Sequence, residues 1–164
     1  MVPFQTPFHH ARPVLAALAA GAAVVLSGCS STATVQAADD AANPACASMM
    51  VLLPDVLADL DRRQTNSQGT AAWGDPAQVV LRCGVTVPGP STDPCVSVNG
   101  VDWLAKEGDP AWTLTTYGRT PATEVLFDPN QVPSSTVMAE LATAAAKIPA
   151  QGSCTSVDKT VDLP

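Results

Sequence analysis

The sequence predicts an α+β fold, in which an antiparallel sheet of four to five strands is flanked in sequence by one helix on each side. Apolar residues recur at helical spacing near both ends of the predicted domain, and short alternating runs bounded by turn residues lie between them. A single-layer sheet must cover its apolar face, so both helices are expected to pack on one face. These patterns occupy about 110 residues, which suits a single domain.

The first helix is predicted to begin at Asn43-Pro44, where an Asn cap precedes proline at the first helical position. Pro54 should kink or break this helix, because proline cannot donate a hydrogen bond to the carbonyl four residues before it. Arg62-Arg63 would lie in the last turn, where cations interact favourably with the helix dipole. An anion-binding role for this pair is the alternative. The apolar stripe comprises Cys46, Met49, Met50, Leu53, Val56, Leu57 and Leu60.

Five short runs in the middle of the chain predict strands. Asn99-Gly100 lies between two of them and is a strong hairpin signal, because both central residues of a type I′ turn need positive φ. A second hairpin is expected across the turn that holds Gly118 and Pro121. Residues 65–72 and 88–94 are interpreted as loops. The five runs are 78–83, 95–98, 101–104, 112–117 and 123–127.

The second helix is expected after the Asp128-Pro129 turn, with Ser134 or Ser135 as its cap. Pro149 and Gly152 should stop it, because neither residue continues a helix well. Its apolar stripe comprises Val137, Met138, Leu141, Ala145 and Ile148.

The residues before the domain predict a lipoprotein signal peptide, residues 1–28. Residues 14–26 are apolar, but a membrane-spanning helix needs roughly 20 such residues, so this run is interpreted as a processing signal. It ends at Leu26-Ser27-Gly28-Cys29, the pattern of a bacterial lipobox. In a lipobox the cysteine, here Cys29, is acylated and becomes the first mature residue, and palmitate is expected among its acyl groups. An ordinary signal peptide cut elsewhere is the alternative. Two or more acyl chains anchor stably, so the expected location is the outer face of the cytoplasmic membrane.

The mature chain divides into three parts by composition. Residues 29–44 contain Ala, Ser, Thr and Asp, with Val35 as their one large apolar residue, and are interpreted as a flexible tether. Residues 45–154 would form the single α+β domain, and residues 155–164 a polar tail.

Four further cysteines are typical of two disulfides in a small exported domain. Spacing alone cannot select among their three connectivities. If the helices lie antiparallel on the sheet, the start of the first comes near the end of the second, which would pair Cys46 with Cys154 and leave Cys83 to pair with Cys95.

The mature chain is strongly acidic. The sequence carries eight basic and fifteen acidic side chains, and loss of Arg12 with the signal peptide leaves a net charge of −8. Binding to nucleic acid needs clustered Lys and Arg, so no nucleic acid partner is expected. A polybasic contact with anionic lipid is excluded for the same reason, and the membrane is expected as a partner through the N-terminal lipid.

The position of the histidines excludes several kinds of catalysis. His9 and His10 both lie in the predicted signal peptide, so the mature chain has no histidine for a catalytic triad, a zinc site or a general base. No phosphate-binding or calcium loop is present, and no cofactor or metal is expected. A carboxylate pair or a Ser-Lys dyad remains as candidate chemistry, and Asp102 is the acid to test. No residue is assigned as catalytic.

Four motifs occur in the order Trp73-Gly74-Asp75-Pro76, Leu81-Arg82-Cys83-Gly84-Val85, Asn99-Gly100-Val101-Asp102-Trp103-Leu104 and Thr116-Tyr117-Gly118-Arg119. Together they resemble an actinobacterial family of secreted lipoproteins, catalogued as a domain of unknown function (family 3515). The resemblance covers residues 46–149 and implies an envelope location, but no catalytic residues, because the family has no established activity. Cys154 lies outside this stretch, which leaves the Cys46–Cys154 pairing less supported than Cys83–Cys95.

The aromatic residues are interpreted mostly as core, and the alternative is a binding surface, where Trp, Tyr and Arg are the usual anchors. The expected function is a non-catalytic binding or interaction module of the cell envelope, with an envelope protein as its partner. The alternative is a carboxylate-dependent hydrolase of envelope glycans, which requires a deep cleft with two convergent acids. The candidate surface residues are Trp73, Arg82, Trp103, Tyr117 and Arg119.

Overall fold

The computed structural model describes residues 32–155, which form two helices and eight strands. In chain order they are α1 (Pro44–Met50), β1 (Val56–Leu57), β2 (Leu60–Arg63), β3 (Thr70–Trp73), β4 (Val79–Val85), β5 (Cys95–Val98), β6 (Val101–Lys106), β7 (Trp112–Thr116), β8 (Ala122–Phe127) and α2 (Ser134–Ala145). All eight strands join one antiparallel sheet in the order β1-β2-β3-β4-β8-β7-β6-β5. The central pair, β4 and β8, therefore joins two distant parts of the chain.

The prediction of a four- to five-stranded sheet is wrong, because three further strands, β1 to β3, come from segments interpreted as a helix and a loop. Helix α1 has only seven residues. The chain turns at Ala58 and Asp59, whose positive φ angles of 48° and 62° are incompatible with a helix. Arg62 and Arg63 therefore lie on β2. Apolar spacing misled here because a short helix followed by a tight hairpin produces a similar pattern.

Strand β3 occupies the end of the predicted loop of residues 65–72. All four residues of this strand are buried, since it pairs with β2 on one side and β4 on the other. Ala71 and Ala72 carry almost no strand signal in isolation, because strand preference reflects packing against neighbours that the local sequence does not specify.

Both predicted hairpins are present. Asn99 and Gly100 have φ angles of 49° and 77°, and they connect β5 to β6 with Val98 opposite Val101. Strands β7 and β8 pair antiparallel across the second turn. Local turn chemistry therefore identified these four strands correctly.

The two helices differ in how well their ends were predicted. The Asn43 side chain accepts a hydrogen bond from the Ala45 amide at 3.0 Å, which confirms the predicted cap of α1. At α2 the cap position is held by Pro133, which makes no side-chain hydrogen bond, so the prediction of a serine cap is wrong. The predicted apolar stripe of α2 is buried: Val137, Met138, Leu141, Ala145 and Ile148.

The two predicted disulfides are present, but the predicted pairing is wrong. The bonds join Cys46 to Cys83 and Cys95 to Cys154. Helix α1 packs on the centre of the sheet, which brings it to β4. The C-terminal segment instead runs past the second hairpin to β5, and the Gln151 amide donates to the Gly118 carbonyl on the way.

The sheet has an inner face, which packs against both helices, and an outer face opposite. Leu81 and Val125 are cross-strand partners on the inner face, in the same apolar core as Met49 of α1 and Leu141 of α2. Alternate residues of the same strands point to the outer face. Among residues 32–155, no helix is long and apolar enough to cross a membrane.

Residues 32–40, the N-terminal strap, lie on the outer face. Ala33 and Val35 are buried against Ala72 and Val80, because small side chains fit closely over a strand of small residues. The strap ends at Gly84, where a Cβ atom would lie 2.3 Å from the Asp40 carbonyl carbon. Residues 32–40 of the predicted tether are therefore packed on the sheet rather than free. The domain boundaries stay predictions.

Candidate binding groove on the outer face

A row of side chains crosses four neighbouring strands on the outer face. The strand register places Leu104 opposite Thr115, Thr115 opposite Glu124, and Glu124 opposite Arg82. Each of these residues alternates with residues of the apolar core, and three of the four, Arg82, Glu124 and Thr115, are polar. The row forms the floor of a groove.

An ion pair occupies the centre of this floor. The Arg82 Nε donates to Glu124 Oε1 at 2.6 Å, and Nη2 contacts the same oxygen. The two residues face each other directly across β4 and β8, where the separation of the side chains suits a cross-strand pair of opposite charge. Their side chains are 30% and 16% exposed, so the pair is accessible from the groove.

Two segments form the walls of the groove. Strap residues 36–39 stand on one side of the Arg82–Glu124 pair, and the loop of residues 86–94 stands over the other. The cavity between strap and loop has a volume of about 440 Å³. It continues under the loop past Thr115 and Leu104, because neighbouring cavities share these lining residues.

The groove ends in a wider cavity of about 800 Å³ beside β5 and β6. Asp102 and Tyr117 line it, together with the Cys95–Cys154 disulfide. Asp102 Oδ2 accepts a hydrogen bond from the Cys154 amide at 2.7 Å, so this carboxylate holds the C-terminal segment in place.

Three of the five candidate surface residues do not belong to a surface. Trp73 and Trp103 are fully buried, and the Trp73 Nε1 donates to the Pro54 carbonyl at 3.0 Å. Arg119 is only 4% exposed. These residue types are common anchors at interfaces, but in so small a domain the large rings are needed to fill the core.

Arg119 instead connects two elements from inside the molecule. Its Nη2 donates to the Gly100 carbonyl at 2.9 Å, and its Nη1 donates to the Ile148 carbonyl. Burial lowers the pKa of Arg119, while the nearby Asp102 charge raises it. The guanidinium therefore ties the β5–β6 turn to the chain that follows α2.

Arg82 and Tyr117 are the two candidates that line the groove, but they lie in different parts of it. Sequence reasoning missed Thr115 and Glu124, as well as the two walls. The alternation of residues 112–117 and 123–127 carried the signal for Thr115 and Glu124, since both fall on the polar side of their strands. No local pattern indicated that residues 36–39 would form a wall.

Two carboxylates of the groove, those of Glu124 and Asp102, are already engaged by the protein. Glu124 accepts from Arg82, and Asp102 accepts from the Cys154 amide. A general acid must instead present a free proton to its substrate. This arrangement suits binding better than hydrolysis. Among residues 32–155, no group of three or more His, Cys, Asp or Glu side chains could hold a metal ion.

The chain matches a family model described as "Protein of unknown function (DUF3515)" over residues 10–153. Neither a curated protein nor a solved structure matches it. The match includes both helices, all eight strands and the groove floor.

Proposed function

The chain belongs to the DUF3515 family, as its motifs predicted, and from that premise we propose that it is a non-catalytic interaction module of the cell envelope. The outer-face groove is the proposed binding site, and an extended segment of an envelope protein is the proposed partner. The observation that carries this proposal is a continuous polar groove on the sheet face opposite the helices.

The length of the groove favours an extended chain. Its floor runs from Arg82 on β4 to Leu104 on β6, and Cys95 on β5 continues it. Neighbouring strands lie about 4.8 Å apart, so four spacings give about 19 Å, the length of about six residues of extended peptide. A globular partner could therefore insert one exposed segment.

The charges of the groove favour a basic segment. The Arg82–Glu124 pair is neutral as a unit, so the remaining charged residues set the balance, with three carboxylates against one ammonium group. Opposite charge on a partner speeds association and aligns it in the groove. Tyr117 is the aromatic residue in the lining, and the groove offers no tryptophan ring among its described lining residues. The remaining charged residues are Asp39, Asp93, Asp102 and Lys106.

The envelope location rests on the sequence before the domain. Cys29 lies outside the described residues, and the proposal that it is acylated is supported by the lipobox and the apolar run of residues 14–26. Lipid anchoring at the outer face of the cytoplasmic membrane and an actinobacterial origin are parts of the proposal.

A crosslinked pull-down of the full-length protein from intact native cells tests the binding site. Thr115→Arg places a long side chain across the middle of the groove floor, and Thr143→Arg places the same side chain on an exposed position of α2. We expect one protein at near-stoichiometric yield with the wild type and with Thr143→Arg, and loss of it with Thr115→Arg.

Two results would contradict the proposal. Capture that survives Thr115→Arg in a folded protein would show that the groove is not the binding site. Failure to capture any protein would remove the interaction module itself. A Cys29→Ala variant separates the anchor from the groove, because it changes location without changing the lining residues.

A further inference from the structure

Three exposed large apolar side chains lie close together in the chain, in the segment that leads from α1 into the edge strand β1. Val51 is 79% exposed and Leu52 42%, and both directly follow α1, while Val56, the first residue of β1, is 50% exposed. Two other large apolar side chains of the described residues, Val87 and Val96, are exposed singly elsewhere. Single exposed apolar residues are ordinary, whereas a group on one edge indicates a contact surface.

The chain enters the domain along the same edge. The Arg62 amide donates to the Asp55 carbonyl, and the Ala33 amide donates to the Gln64 carbonyl, both at 2.8 Å. Arg62 and Gln64 are alternate residues of one extended segment, so their backbone groups point to the same side. Two residues, about 7 Å, therefore separate the strap contact from the segment that leads into Val56.

The chain between the proposed lipid anchor and the domain is short. Ala33 and Thr65 form a parallel bridge, so Thr32 lies on the side of Ala33 that faces β1. Three Cα–Cα steps separate Cys29 from Thr32, which limits their distance to about 11 Å. A free tether of residues 29–44 would have allowed any orientation, but the packed strap removes that freedom.

We propose that Val51, Leu52 and Val56, the apolar edge, rest on the outer leaflet of the lipid bilayer. The proposal depends on the acylation of Cys29 included in the proposed function. The acyl chains lie in the bilayer, and Ala33 of the strap is bonded to the segment that follows β2, close to the segment that leads into β1. The apolar edge is therefore the part of the domain held at the membrane surface. Apolar side chains in that position enter the boundary between headgroups and acyl chains.

The contact is apolar rather than electrostatic. Asp55, Asp59 and Asp61 outnumber Arg62 and Arg63 around this edge, so anionic headgroups would be repelled rather than attracted. The contact should therefore form on zwitterionic lipid and persist at about 1 M salt, where the Debye length is about 3 Å.

This orientation places the groove away from the membrane. Strand β5 is seven strand spacings from β1 in the sheet, about 30 Å with the twist of the strands. The wide end of the groove, beside β5 and β6, would stand that far above the lipid surface and be open to a partner.

Tryptophan probes in the full-length acylated protein test the orientation. The protein is incorporated into phosphatidylcholine vesicles whose acyl chains carry bromine, which quenches indole fluorescence on contact. Val51→Trp and Val56→Trp place the probe on the apolar edge, and Val96→Trp is the matched control on the opposite edge strand. The parent protein supplies the background from Trp73, Trp103 and Trp112.

We expect the added fluorescence of Val51→Trp and Val56→Trp to be lost on brominated lipid and that of Val96→Trp to be retained, at low and at high salt. Equal quenching at both edges, or quenching of Val96→Trp alone, overturns the orientation. Two probes on the apolar edge guard against a substitution that disturbs the local turn.

The mass of the mature N-terminal peptide and flotation with vesicles separate the two proposals. An acylated Cys29 on a floating protein with an unquenched apolar edge overturns the orientation alone. A protein without acyl chains that does not float overturns the anchoring and the orientation that depends on it, while the pull-down with Thr115→Arg still judges the groove.

Discussion

The two faces of the sheet are made by the same eight strands and differ in what their side chains do. On the inner face, Leu81 and Val125 pack against two helices in a closed apolar core. On the outer face, the adjacent Arg82 and Glu124 form a polar floor between two walls. Because hydrophobic burial supplies most of the folding free energy, the inner face can hold the domain together while the outer face keeps accessible polar groups.

The two disulfides differ in the same way, since one lies in the apolar core and the other beside the groove. By loop entropy alone, bonds that close 37 and 59 residues contribute nearly equally, about 4 kcal/mol each. Cys46 and Cys83, however, are buried in the core, whereas Cys95 and Cys154 are partly exposed beside the groove. The position of the bond, not its loop length, is therefore expected to decide its importance.

The largest effect is expected from replacing Cys46 and Cys83 together by alanine. This change removes about 4 kcal/mol of loop entropy and also the packing of two buried sulfur atoms. Urea unfolding should show a larger loss than the matched Cys95→Ala/Cys154→Ala change, which removes a similar loop constraint but little buried packing. Equal losses would mean that the inner face does not dominate stability.

The next largest difference is expected between truncations of single side chains on the inner and outer faces of the sheet. Leu141→Ala on the inner face is expected to cost about 2–5 kcal/mol in free energy of unfolding, because Leu141 is fully buried. Thr115→Ala on the groove floor should change it by about 0.5 kcal/mol or less. Thermal or denaturant unfolding measures both, and a comparable loss for Thr115→Ala would contradict the contrast.

Arg119→Met tests a residue whose type suggests binding and whose position indicates a structural role. The change leaves the Ile148 and Gly100 carbonyls without their guanidinium donor, at an expected cost of about 2–3 kcal/mol. Partner capture by the folded protein should persist at low temperature. Full stability with loss of capture would instead assign Arg119 to the binding site.

In contrast to Arg119, the Arg82–Glu124 pair is expected to matter for partner binding and little for stability. Because both side chains are partly exposed, a double-mutant cycle with alanine is expected to give about 1 kcal/mol of coupling or less, decreasing with salt. Loss of partner capture should be large in either single variant. A coupling of several kcal/mol would mean that the outer face also carries much of the stability.

The smallest effect concerns Asp128, in the turn that joins the sheet to α2. Hydrogen bonds from the Asn130 amide and the Gln131 side chain lower the pKa of Asp128. The stabilisation is therefore complete above the unfolded pKa of about 4 and is lost as the pH falls through the lower folded value. The melting temperatures of wild type and Asp128→Asn should converge in acid, and a difference that is constant with pH would contradict this.

The elements predicted correctly are those whose sequence signal lies within a short stretch of the chain. The cap of α1, the apolar stripe of α2 and the Asn99-Gly100 hairpin each depend on residues within one or two turns of chain, and all three are present. Strands β1 to β3 could not be predicted, because they have only two to four residues each and β3 contains two consecutive alanines. Segments this short show no apolar periodicity that identifies a strand.

The candidate site was predictable only in part. Arg82 and Tyr117 were identified by residue type, and they do line the groove. Trp73, Trp103 and Arg119 have equally suitable types but are buried. Residue type indicates what a side chain can do, whereas the face of the sheet on which it lies decides whether it is accessible.

By itself, the sequence determined two of the hairpins, the cap of α1, the apolar stripe of α2, the number of disulfides and the family. Only the tertiary structure decided the strand order, the cysteine pairing and the existence of the groove. Strand β4 pairs with β8, Cys95 bonds Cys154, and strap residues 36–39 form a wall, and each contact joins distant parts of the chain. Such contacts arise when a whole sheet must cover one apolar face, a requirement that no short stretch of sequence expresses.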